Sequence, residues 1–184
     1  MKRTFDILLS AIALVILAPV LVILGIWILI ASPGPVFYRQ QRVGRGGKVF
    51  GMLKFRSMVV NADRIGSYMT IMGDPRITPI GAFMRRTSLD ELPQLVNVLF
   101  GDMSLVGPRP DVPAQRDLYS DSEWAIRTSV RPGVTGLAQA TLRSSATHEQ
   151  RLALDIEYVH QKSFWFDLKV LVLTVRQVLG KGSH

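Results

Sequence analysis

The apolar positions divide the chain into one long hydrophobic run and a mixed remainder. Residues 7–30, ILLSAIALVILAPVLVILGIWILI, carry no charge over 24 positions, long enough for a helix to cross a hydrocarbon core of about 30 Å. The apolar core of a cleaved signal peptide is only about 7–15 residues long, so the run does not fit one. Pro19 lies mid-run, where the missing N–H and the ring disturb a helical turn. Lys2 and Arg3 precede the run, and Arg39, Arg42, Arg45 and Lys48 follow it. Basic flanks prefer the cytoplasmic side, and here both ends are basic. A helix that enters, breaks at Pro19 and returns to the same face satisfies both ends. Each arm of about 12 residues is then too short to cross, at about 1.5 Å per residue. The pattern predicts a re-entrant helix–break–helix over 1–32 in preference to a straight span.

Beyond that run the periodicity shortens. SPGP at 32–35 is a breaker. VFYRQQRV and KVFGMLKFRSM on either side of GRGG predict two strands and a hairpin turn. GRGGK lacks the spacing of a phosphate loop and is taken as that turn. Residues 61–73 have a helical pattern that becomes irregular, and GDPRITPIG is expected to be a loop. SDSE at 120–123 and THEQ at 147–150 have capping-box spacing, which predicts helices over about 121–130 and 148–161. Pro132-Gly133 between them is a turn signal. SFWFDLKVLVLTVRQVLG, at 163–180, mixes aromatics, aliphatics and charges. It is compatible with a helix lying flat at a membrane interface or with a buried terminal helix. The closing GSH resembles the scar of an expression tag, so His184 is set aside. The expected fold is α+β, mainly α. A membrane helix at 1–32 is followed by a cytoplasmic catalytic region at 33–184, ending in a C-terminal interfacial helix.

Charge sharpens this picture. The formal net charge is +8. Up to residue 60 there are eight Lys and Arg against one acid, Asp6, whereas the rest is nearly balanced. Positive charge flanking an apolar run suits an anionic membrane surface better than a nucleic-acid groove. The absence of cysteine excludes disulfides and thiolate metal sites.

TSLDELPQL at 87–95 places Asp90 beside Glu91. Ser88 and Glu91 have capping-box spacing, and Asp90 as N-cap would put Pro93 in a first turn, where it costs little. A purely structural role is therefore open. A chemical role is open too: a carboxylate at a helix N-terminus tends to stay ionised, phosphate is welcome there, and an ionised carboxylate is a nucleophile toward phosphorus. Adjacent positions project differently, which predicts separate roles for the two acids. Arg85 and Arg86 lie just upstream, Arg109 sits between Pro108 and Pro110, and Arg143 follows VRPGVTGLAQ. Guanidinium forks suit phosphate oxygens.

KRTFD at 2–6, KFRSM at 54–58, RRTSLDELPQLVNVLFGDMSLVGPRP at 85–110 and VRPGVTGLAQ at 130–139 together resemble the bacterial sugar transferases. The likeness is to the small monotopic phosphoglycosyl transferases, it covers nearly the whole chain, and only the catalytic core is expected here. The resemblance implies transfer of a sugar phosphate from a nucleotide sugar, usually a UDP-sugar, to polyprenyl phosphate, with release of UMP. It implies that Asp90 is the nucleophile of a ping-pong scheme, with Glu91 as its partner. Mg²⁺ is implied near Asp90, with Arg85, Pro108, Arg109 and Arg143 around the phosphates and a helix break at Pro19. The expected setting is the cytoplasmic face of a bacterial inner membrane. Membrane lipids are partners, homodimerisation is open and no nucleic acid is involved. Two departures stand out. Ala18-Pro19 replaces the family's frequent Ser-Pro, and TLRSSATHEQR lacks the Asn-Gly that often precedes the last arginine.

Overall fold

The computed structural model describes residues 1–66, 70–71, 73–142 and 147–180. Helix α1 spans Lys2–Ala31 and contains Pro19 without interruption of the helical assignment. The proline leaves the Val15 carbonyl without its helical donor. The break expected at Pro19 is thus a turn lacking one hydrogen bond, not a gap between two helices. A window of α1 has a mean hydropathy of 3.1 and is 11% buried, so most of its apolar surface faces away from the protein.

The buried parts of α1 are its two ends. At the start, Asp6 and Ser10 are buried, and Arg3 donates to the Val98 and Leu99 carbonyls at 2.6 and 2.9 Å. At the end, Leu24 and Ile28 pack into a cluster with Phe55, Ile80 and Met84. Arg56 donates to the carbonyls of Ser32 and Pro33 just beyond the helix.

Strands β1 (Phe37–Val43) and β2 (Val49–Phe55) pair antiparallel, with Phe37 opposite Phe55 and Val43 opposite Val49. The turn holds Gly46 and Gly47 at positive φ, a conformation that suits glycine, so the expected hairpin is present. Among the described residues, the helical pattern after it is realised as one turn, α2 (Ala62–Ile65). Residues 67–69 and 72 lie outside the described residues. Helix α3 (Pro79–Thr87) begins inside the stretch expected to be a loop. Thr78 accepts from the Gly81 N–H at 3.0 Å and Pro79 is the first helical residue, so this proline starts a helix rather than breaking one.

Helix α4 (Gln94–Phe100) leads into β3 (Ser104–Val106). After α5 (Asp121–Thr128) comes β4 (Gly133–Thr135), which pairs parallel with β3. The Pro132-Gly133 turn signal is therefore corrected: Gly133 opens a strand. The pairing depends on missing side chains. A Cβ on Gly107 would stand 2.4 Å from the Arg131 carbonyl oxygen, and one on Gly133 would stand 2.2 Å from the Gly107 nitrogen. Helix α6 (Leu137–Thr141) follows, then α7 (His148–Gln161), whose bounds match the expected 148–161. Helix α8 (Phe164–Gly180) buries Val170 and Asp167 and exposes Trp165, Val172 and Val175, so it is half core and half free surface. The main core joins Met52, Leu95, Val98, Met103, Tyr158 and Val170, with Phe5, Leu14 and Leu17 of α1 against it. Residues 181–184 lie outside the described residues.

Candidate active site

The two acids do not cap a helix in the way their spacing suggests. Ser88 adopts a left-handed conformation (φ 59°), closes α3 through its N–H to Arg85 and Met84, and makes no side-chain cap bond. Asp90 and Glu91 lie in a 3-10 turn, Leu89–Glu91, and α4 starts only after Pro93. The turn aims the acids differently. Glu91 receives Lys54 Nζ at 2.9 Å and the Arg109 fork at 2.5 and 3.2 Å. Asp90 is 7% exposed and, among the described residues, its carboxylate makes no hydrogen bond or ion pair.

Lys54 is delivered by β2, and a residue the sequence did not flag fixes β2 against α4. Buried Asn97 accepts from the Leu53 N–H at 2.8 Å and donates to the Gly51 carbonyl at 2.9 Å, acting like a third strand's backbone. Arg109 is mounted with equal care. Pro108 is buried, and its carbonyl accepts from Gly133 N–H at 3.0 Å. The Arg109 carbonyl accepts from Arg127 at 2.6 Å and the Pro110 carbonyl from Arg42 at 2.7 Å. Arg127 is in turn held by Asp111 and Asp155. Arg85 reaches Ser57 Oγ at 2.8 Å and Thr70 Oγ1 at 3.2 Å.

Asp90, Glu91, Lys54, Arg85, Arg109 and Arg127 all line one cleft of about 1640 Å³. The expected site residues Arg85, Asp90, Glu91 and Arg109 are therefore brought together, with Pro108 behind Arg109. Arg86 is exposed and is not part of the cleft lining. Pro19 lies in α1, and Arg143 lies outside the described residues. In the sequence Lys54 stands out only as one of the eight bases up to residue 60 and as part of KFRSM, and nothing there singles out Arg127, Asp111, Asp155 or Asn97. Only tertiary contact identifies them.

The cations act oppositely on the two acids. Burial alone would raise Glu91, but Arg109 and Lys54 outweigh it and hold the carboxyl well below the usual glutamate range. Burial raises Asp90, the Glu91 charge adds to the rise, and Lys54, Arg85 and Arg109 oppose it. Burial, with Arg109 next, lowers Arg42 to about 10. The site thus holds one acid that stays ionised in a clamp and one, without a hydrogen-bond partner among the described residues, that is easier to protonate. Unlike environments of this kind assign unlike roles.

Among the described residues no three His, Asp or Glu side chains gather into a metal cage. Asp90, which accepts no hydrogen bond among the described residues and lines a cationic cleft, does fit the way Mg²⁺ is commonly held, by one or two carboxylates together with substrate phosphate oxygens. Asp90 is the residue placed to do so.

The family model described as bacterial sugar transferase matches residues 1–181. The UDP-glucose:undecaprenyl-phosphate glucose-1-phosphate transferase of Escherichia coli (strain K12) is 43% identical over 183 residues, which is 95% of this chain and 39% of that protein. A protein of the same name from Caulobacter vibrioides is 43% identical over 185 residues, 97% of this chain and 69% of its own length. The undecaprenyl-phosphate galactose phosphotransferase of Salmonella typhimurium is 41% identical over 199 residues, 100% of this chain and 41% of its own. The chain thus spans about two fifths of the length of two of these relatives and about two thirds of the third.

Proposed function

Because the chain belongs to the bacterial sugar transferase family, we propose that it moves a sugar 1-phosphate from a nucleoside diphosphate sugar, a UDP-sugar, onto polyprenyl phosphate. The other product is UMP. The substrate class is suggested by the names of the relatives. The observation that carries the chemistry is Asp90: a buried acid with no hydrogen-bond or ion-pair partner among the described residues, on the wall of a cleft that also presents Lys54, Arg85 and Arg109.

An Asp90 oxygen attacks the sugar-linked phosphorus. The bond from that phosphorus to the bridging oxygen breaks, and UMP departs with its electron pair. This leaves the sugar phosphate joined to Asp90 as an acyl phosphate. An oxygen of polyprenyl phosphate then attacks the same phosphorus, and the Asp90–phosphorus bond breaks to restore the carboxylate. Arg109 and Arg85 offset charge that builds on the phosphate oxygens. Glu91, locked in its clamp, keeps Arg109 and Lys54 oriented beside Asp90. Mg²⁺, with Asp90 among its ligands, would supply further neutralisation of the diphosphate.

The reading is tested by incubating the protein with a panel of UDP-sugars, polyprenyl phosphate and Mg²⁺, and measuring UMP. One donor should release UMP in stoichiometry with lipid-linked product, and a chelator should stop the release. A protein that turned over no donor would exclude the reading.

The same proposal places the reaction at the cytoplasmic face of the bacterial inner membrane, with α1 as a re-entrant element. It is supported by the contacts at the two ends of α1. Arg3 ties the start to α4, and Arg56 ties the end to the residue after β2, so both ends belong to one protein body. A spanning helix would need them on opposite sides of about 30 Å of hydrocarbon. The chain has no cysteine, so Thr4→Cys and Ser32→Cys variants report cleanly. Both thiols should resist an impermeant reagent outside intact cells and react in inverted membrane vesicles. Labelling of only one of them from outside would show a true crossing.

A further inference from the structure

Strand β3 is three residues long, and α1 contacts every one of them. Lys2 and Asp6, four apart, share a helix face. Asp6 accepts from Ser104 Oγ at 2.8 Å and from the Leu105 N–H at 3.4 Å. Lys2 donates to the Val106 carbonyl at 3.3 Å. Two residues from distant parts of the chain complete the arrangement at Val106. Tyr158 of α7 lies 2.9 Å from the same carbonyl and 2.7 Å from Asp167 of α8. Lys2 also meets Asp167 directly and Tyr158 Oη at 3.5 Å.

The donor count closes. An ammonium has three N–H groups, and three acceptors surround Lys2: Asp167, the Val106 carbonyl and the Tyr158 oxygen. The single phenolic proton is then available to Val106 or to Asp167. Tyr158 is 2% exposed and Asp167 3%, so loss of any member would strand a buried polar group.

Val106 is the last residue before the stiff segment Gly107-Pro108-Arg109-Pro110. Gly107 is backed onto the Arg131 carbonyl with no room for a Cβ, and two prolines fix φ on either side of Arg109. The segment has little slack, so movement at Val106 is carried over three residues, about 11 Å of extended backbone at most, to Arg109 and through it to the fork on Glu91. Arg42, Gly133 and Arg127 hold the later carbonyls of this loop. Among the described residues, Lys2 is the member of the apolar helix that touches the first of them.

We propose that Lys2, Tyr158 and Asp167 are positioning residues that carry the seating of the membrane helix, through the Val106 carbonyl, into the loop that aims Arg109 at the reacting acids. This links occupation of the membrane to the geometry of the site. Its kinetic consequence rests on the transferase reading above; its structural consequence does not.

The test uses the full chain in lipid nanodiscs, with Tyr158→Phe and, independently, Lys2→Gln, which acts from the other side of the cluster at a half-exposed position. In both variants amide exchange over residues 104–111 should quicken while the peptides of α5 keep wild-type rates. With the donor that supports UMP release, each variant should lose about tenfold in kcat, as expected for a misplaced catalytic group, with KM for the nucleotide sugar little changed. In an Arg109→Lys background the same substitutions should have almost no further effect, because they act through Arg109. Unchanged exchange over 104–111 in both variants overturns the proposal, as do kinetic losses that simply multiply with that of Arg109→Lys. A wild-type protein inactive with every donor would remove the transferase reading instead, and the exchange measurement would still decide the linkage.

Discussion

Asp90→Asn is expected to abolish turnover, by about four orders of magnitude or more, the scale seen when a covalent nucleophile is removed, while leaving the protein folded and at least as stable. The amide has nearly the volume of the carboxylate but cannot form the acyl phosphate. The stability half follows from the sign of the pKa shift. Burial raises Asp90, so its folded-state value lies above the unfolded one and the ionised form is the one the fold disfavours. At neutral pH that charge costs stability, a cost that disappears only as pH falls through the raised value. Asparagine removes it at every pH, so the melting temperature at pH 7 should hold or rise, an exchange of stability for function. Intact mass after brief exposure to the correct donor should show one added sugar phosphate on wild type and none on Asp90→Asn. A fully active wild type that never carries the adduct under rapid quenching would rule out the covalent route, as would an asparagine variant that turns over normally.

Much of this site was legible because its chemistry is packed into one stretch of chain. Arg85, Asp90, Glu91, Pro108 and Arg109 fall within 25 residues, a stretch whose interspersed Gly and Pro separate it from an ordinary charged surface. Lys54 was not legible as Glu91's partner. The pair is 37 residues apart, and strand alternation says which face a lysine is on but not which acid it meets. Arg127 and Asp155, 28 apart, are hidden for the same reason: each looks like an ordinary surface charge on an amphipathic helix. The fold divides along the same line. Helix α7 was read to its bounds because Thr147 and Gln150 form a local capping box. Strands β3 and β4 escaped because three residues cannot display a period of two, and their glycines serve backbone contact rather than a turn. Helix α3 escaped because Pro79 signals both a breaker and a first helical residue, and only the Thr78 cap decides between them.

Arg109→Ala should lower kcat/KM by about 10²–10³-fold, the usual loss on removing one donor from a charge-stabilising site, and Arg109→Lys should recover little of it. A lysine supplies charge but not the planar fork that grips both Glu91 oxygens. The pH profile separates this from mere damage. Ionised Asp90 is the reactive form, so the acid limb of kcat/KM reports its pKa, which burial raises from the ordinary aspartate value. Glu91 cannot produce that limb, because Arg109 and Lys54 keep it ionised far below. Arg109 is one of the three cations that restrain the rise of Asp90, so its removal must move the limb to higher pH. Activity at low pH would then fall further than activity at pH 8. Stability should change in the other direction along the pH axis. Glu91 has a depressed folded-state value, so its clamp stabilises fully above the ordinary glutamate value of 4.5 and fades as pH falls below it. The gap in melting temperature between wild type and Arg109→Ala should therefore be widest near neutral pH and narrow in acid. An acid limb that stayed in place, or moved down, in a folded Arg109→Ala protein would mean that Arg109 does not sense the charge on Asp90, and its place in the mechanism would have to be given up.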